Sequence, residues 1–103
     1  MADMIGRGTT PTNTFTVPID LTGAVEIKIY YAQLNRVVFE KTLSDITVSA
    51  DKLITTLTQQ ETLRLKDTEP VEIQIRARMA NGSAPESDII VTDVGRVLKD
   101  EVI

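Results

Sequence analysis

The chain has 103 residues, 42% hydrophobic and 25% charged, with 15 acidic against 11 basic side chains and a net charge of −4; this is too apolar for a disordered chain and enough for one modest core. Cysteine and histidine are absent, which excludes disulfides, thiol nucleophiles, iron–sulfur clusters and His-containing triads and removes the commonest zinc ligands. The charges are scattered and no apolar run nears the roughly 18–20 residues of a spanning helix, so neither nucleic acid binding nor membrane insertion is expected.

The opening "MADMIGRG" lacks the long apolar core of a secretory signal, and the expectation is a chain made and folded in the cytoplasm. In "RGTTPTNTFTVPID", Thr10 precedes Pro11 and is pushed out of the helical region. A first strand is predicted over Thr12 to Val17, with Thr12, Thr14 and Thr16 outward and Phe15 and Val17 inward. Pro18 has no N–H to give a ladder, so this strand should lie at an edge or switch sheets.

From Ala24 to Tyr31, "AVEIKIYY" alternates at period two, which predicts a half-buried strand with Val25, Ile27, Ile29 and Tyr31 inward and Glu26, Lys28 and Tyr30 outward. A run from Val37 to Leu43 is expected to pair back on it through the turn "QLNR", where Asn35 best tolerates a left-handed conformation. Ile46 to Val48 and Lys52 to Leu57 are shorter strands joined by "SAD". "TQQETLRL", Thr58 to Leu65, opens with a Thr-x-x-Glu capping box and predicts one short helical turn near 58–64, with Leu63 and Leu65 plugging the end of the core.

"VEIQIRARM", Val71 to Met79, repeats the alternation: Val71, Ile73, Ile75, Ala77 and Met79 face in, while Glu72, Gln74, Arg76 and Arg78 face out. The following loop carries Asn81-Gly82, a turn signal that joins this strand to a closing antiparallel strand over Asp88 to Val97, with a bulge or bend expected at Gly95. About seven strands and one helical turn predict an all-β fold, an immunoglobulin-like antiparallel β-sandwich in a single domain over 1–103, with a small barrel as the alternative. Residues 1–8 and 99–103 are expected as flexible or docked tails.

No motif for chemistry emerges. Two of 15 acids fall near each other by chance, and none sits in an apolar context that would raise its pKa, so a catalytic carboxylate pair is not indicated. Glu86, Asp88 and Asp93 could supply oxygen ligands to calcium, but their spacing is not that of an EF-hand, and charges on a loop and a strand edge are the simpler reading. No catalytic, cofactor or metal residues are therefore assigned.

Tyr30, Arg76 and Arg78 are outward groups of the residue types enriched in binding hot spots, set against a simpler reading of a solvated face of cross-strand ion pairs. Val102 and Ile103 would leave branched apolar groups in water unless docked on this chain or a neighbour, which raises homo-oligomerisation as an expectation. With four aromatic residues, of which Phe15 and Phe39 are wanted by the core, a carbohydrate platform is disfavoured.

The segments "RGTTPTNTFTVPID", "VEIKIYYAQLNRVVFEKTLSD", "ITTLTQQETLRL", "VEIQIRARMANG" and "SDIIVTDVGRVLKDEVI" together resemble small uncharacterised proteins of phages and prophages of Gram-positive bacteria, mostly Firmicutes. A more distant likeness is to N-terminal domains of phage baseplate proteins, from whose Gly-Asp-Thr opening Gly8-Thr9-Thr10 departs. The resemblance implies a non-enzymatic structural or tail- or baseplate-associated protein, partnered by other phage structural proteins, made in the bacterial host cytoplasm and carried into the virion. A host-surface receptor- or glycan-binding module is the alternative.

Overall fold

The computed structural model describes residues 4–103. Strands β1 (Ile5–Gly6), β2 (Thr12–Thr16), β3 (Ala24–Gln33) and β4 (Arg36–Thr42) lead into a 3₁₀ turn at Leu43–Asp45. Then come β5 (Thr47–Ser49), β6 (Lys52–Thr56), helix α1 (Gln59–Leu63), β7 (Val71–Met79), β8 (Ile90–Thr92) and β9 (Val94–Gly95).

Seven of these strands form two sheets, β4-β3-β7-β8 and β2-β6-β5, all pairs antiparallel, while β1 lies parallel on β9. The immunoglobulin sandwich orders one sheet A-B-E-D and the other G-F-C, with C′ added in variable-type domains. Here β2-β6-β5 takes positions B-E-D and β4-β3-β7-β8 takes C′-C-F-G. The fold is therefore an immunoglobulin-like sandwich, with two separate sheets rather than a closed barrel.

The core is the inward rows of both sheets: Ile27, Ile29, Tyr31, Leu53, Val71, Ile73 and Ile75 are all buried, and Leu57 and Leu65 close one end. Tyr31 stacks on Phe39 with ring centroids 4.6 Å apart and sends its hydroxyl to the Asn13 Oδ1 at 2.8 Å. That one side chain thus ties position C to position B, joining the two sheets where a cysteine-free domain has no disulfide to do so.

Several expectations require correction. Val25 does not join the inward row: it is 50% exposed, because the β3–β7 register shifts between Ala24 and Glu26 and turns its side chain out. The closing strand is not continuous over Asp88–Val97. It pairs with β7 only at Ile90–Thr92, breaks at Asp93, and resumes as β9 against β1. At Gly95 the Met4 side chain lies over the backbone, its sulfur 2.8 Å from where a Cβ would sit, so a larger residue there would displace that methionine. Leu63 is only half-buried, so of the expected Leu63 and Leu65 pair it is Leu65 that plugs the core end, beside Leu57.

The turns follow backbone chemistry. Leu34 and Asn35 both have positive φ, 52° and 61°, giving the two-residue type I′ link between β3 and β4 that matches strand twist. In the β7–β8 connection Gly82 has φ +89°, Asn81 Oδ1 accepts from Ser83 N–H, and Met79 N–H donates to Ser83 O. Thr58 and Glu61 form the reciprocal capping box of α1 at 3.1 and 2.9 Å.

Candidate functional site

Alternation along β3 and β7 sets Glu26, Lys28, Tyr30 and Ala32 beside Glu72, Gln74, Arg76 and Arg78 on the outer face of the four-stranded sheet. Register decides which charges meet. Lys28 lies directly opposite Arg76, and Glu26 opposite Arg78. Lys28 is held by Glu40 of β4 at 3.2 Å, and that hydrogen bond, with the carboxylate's charge, raises the ammonium pKa.

Arg76 therefore has a like charge on its β3 side and Glu86 bridged to it on the other, and among the described residues neither Arg76 nor Arg78 is in a salt bridge. Like charges directly opposite in a sheet cost stability. The expected face of mutually paired ions is thus realised at Lys28–Glu40 but not at the two arginines. Two shallow depressions, of about 360 and 230 Å³, share Tyr30 and Arg76; the first also reaches Val37, Gln74 and Ile89, the second Arg78 and Ala84. The structure brings Tyr30, Arg76 and Arg78 together on one exposed surface.

Val102 and Ile103 are elsewhere. Gln59 clamps the last residue through its backbone, Nε2 donating to Ile103 O at 3.0 Å and Oε1 accepting from Ile103 N–H at 2.8 Å, so the tail is docked on α1 while the Ile103 side chain stays 94% exposed. Neither residue lines the depressions of the Tyr30 surface.

Sequence reasoning overlooked Arg7. Its Nε donates to Leu65 O at 2.6 Å, and Nη2 to Leu63 O at 2.9 Å, satisfying carbonyls at the end of α1, while both Nη atoms grip Asp100 at 2.6 and 3.1 Å. Gly8, with φ +78°, donates its N–H to Thr62 Oγ1, whose hydroxyl donates to Thr9 O. The Arg-Gly-Thr-Thr opening is therefore a clamp on α1. Nothing local signals this, because the partners lie more than 50 residues away.

Lys41 lies within the predicted Val37 to Leu43 run, where a charged side chain is expected to face solvent. Its side chain points inward, 7% exposed, and meets Glu61 of α1 at 2.6 Å. Gln33 is likewise buried and fully used, accepting from Lys66 N–H and donating to Lys66 O and Glu69 O. Its amide pins the loop before β7.

The shifted carboxylates offer no proton donor near neutrality. Asp20 is lowered by hydrogen bonds from the Thr22 N–H and hydroxyl, and Asp100 by the hydrogen bond from Arg7. Tyr31 is raised, first by burial and then by the charge of Glu61. Among the described residues Glu86, Asp88 and Asp93 do not gather into a three-ligand cluster, and no helix is long and apolar enough to cross a membrane.

What the Tyr30 surface can do chemically is bind, with two exposed guanidinium groups, in no salt bridge among the described residues, and one phenol as donors. A comparison with protein-family models gives no match. One with curated proteins gives none either.

Proposed function

We propose that the protein is a non-enzymatic structural component of a phage or prophage particle, associated with the tail or baseplate and acting through protein–protein contacts. The observation that supports this most is the outer sheet face carrying Tyr30, Arg76 and Arg78, where two exposed guanidinium groups lack salt-bridge partners among the described residues, although Glu86 and Glu26 lie opposite them in the ladder. An acidic surface on a neighbouring particle protein would supply those partners. The resemblance of the chain to small phage and prophage proteins gives the context, with synthesis in the host cytoplasm and a final place in the virion.

The glycan-binding alternative has less support, since Tyr31 and Phe39 are buried and Phe15 is partly so, leaving Tyr30 without a second exposed ring to frame a sugar. The test is induction of a lysogen followed by gradient purification of particles. The protein is expected to sediment with them, and Arg76→Glu with Arg78→Glu to release it into the soluble fraction. Particles that lack the wild-type protein would overturn the proposal.

A further inference from the structure

In the immunoglobulin arrangement strand A covers the flank between B and G. Among the described residues that position is filled only by the two residues of β1, which reach β9 and leave the rest of the flank open. Between the edges of β2 and β8 lies a groove of about 630 Å³ with Phe15 and Ile73 in its lining and exposed Met4, Ile90 and Val91 along it. Among the described residues no charged side chain lines it.

The β2 edge is a free template. Its odd residues face β6, as Leu57 N–H to Pro11 O at 2.9 Å and Val17 N–H to Asp51 O at 2.8 Å establish at the two ends. By alternation Thr12, Thr14 and Thr16 aim their N–H and C=O groups out of the sheet, where the described residues give them no partner. Natural edge strands are blunted by charge, proline or a bulge. Thr12–Thr16 itself carries none of these, and Pro11 and Pro18 bracket it, which confines any pairing to these five residues.

The geometry points to a second copy of this chain as the occupant, pairing β2 with β2 about a two-fold axis through Thr14. Thr14 then faces Thr14 of the second copy and Thr12 faces Thr16, so both strands satisfy their outward backbone groups and the two three-stranded sheets become one. Charge selects this surface. The chain carries a net charge of −4, which opposes self-association in general, whereas among the described residues the β2 edge and its groove carry no charge, so two copies can meet there without opposing like charges directly. The C-terminal tail is not the occupant: it bears Lys99, Asp100 and Glu101 and is held at α1 by Arg7 and Gln59. This inference is independent of a role in a phage particle.

The absence of cysteine makes a clean test. Light scattering at millimolar concentration is expected to give twice the 11.4 kDa chain mass, falling to monomer in Thr14→Lys, which sets two ammonium groups opposite each other, but not in the loop control Thr68→Lys. Thermal melting of Thr14→Lys reports that its fold is kept. Facing residues of an antiparallel hydrogen-bonded pair lie about 5.5 Å apart between Cα atoms, within disulfide reach. Thr14→Cys should therefore form a disulfide dimer under mild oxidant far faster than Thr68→Cys. A wild-type monomer at that concentration, a dimer indifferent to Thr14→Lys, or equal cross-linking of the two cysteine variants would each overturn the proposal.

Discussion

Removing the two halves of the Lys41–Glu61 pair should have unequal effects. The side chain of Lys41 is 7% exposed and that of Glu61 21% exposed, with 2.6 Å between the ammonium and the carboxylate. In Glu61→Gln the capping box survives, because glutamine serves at that position as well as glutamate, but Lys41 keeps a buried charge without its counter-ion. Breaking a buried pair this way costs about 3–5 kcal/mol, a large share of the roughly 5–15 kcal/mol that stabilises a domain. At about 4–8 °C per kcal/mol for a domain of this size, the melting temperature should fall by at least about 12 °C. In Lys41→Met the stem is replaced by apolar volume and Glu61 remains partly hydrated and bonded to Thr58 N–H, so a loss near 1 kcal/mol is expected. The double variant should recover most of the Glu61→Gln loss. Urea unfolding followed by far-UV circular dichroism, with the slope checked for constancy, measures all three. Equal single losses that simply add in the double variant would refute the reasoning, since they would mean the two groups are not coupled.

Arg7→Ala should cost about 1.5–3 kcal/mol per charged hydrogen bond removed from α1, discounted where the bond faces solvent, and Arg7→Lys should not restore it because an ammonium lacks the planar fork; hydrogen exchange of the Gln59–Leu65 amides reads the loss. The Arg7 bond holds the Asp100 carboxyl below its ordinary range, so tail docking is fully present above the unfolded-state value and is lost as pH falls through the depressed one; NMR shifts of residues 99–103 should move in acid and cease to do so in Asp100→Asn. Burial raises the Tyr31 phenol, so its contribution is present below the unfolded value of about 10 and is lost as pH rises beyond it, and alkaline unfolding should be less steep in Tyr31→Phe, which also forfeits about 1 kcal/mol with the Asn13 bond. Leu34 is 67% exposed at φ 52°, so Leu34→Asn should raise the unfolding midpoint by roughly 0.5–1 kcal/mol of stability; a neutral or lower value would count against strain at that turn.

Much of the sandwich was legible because sheet faces are written at period two. The rows Ile27, Ile29, Tyr31 and Val71, Ile73, Ile75, Ala77 need only that rule, and the Thr58–Glu61 cap only a spacing of three. The pairing of Tyr30, Arg76 and Arg78 on one face follows from the same alternation once β3 and β7 are neighbours. Val25 escaped it because a register shift is set by the partner strand, and Lys41 because a charge inside a strand reads as outward unless its acid on a distant helix is known.

By itself the sequence determined local conformation: which segments extend, where the helical turn begins, which side chains avoid water, and that no cysteine or histidine chemistry is available. Tertiary structure decided the break of the last strand at Asp93, the clamp of Arg7 on α1 and Asp100, the placing of Arg76 between Lys28 and Glu86 and the open flank beside β2. The physical reason is range. Backbone sterics and side-chain alternation act over two to four residues, whereas Arg7 and Asp100 are 93 residues apart and meet only when the two sheets close on their shared core.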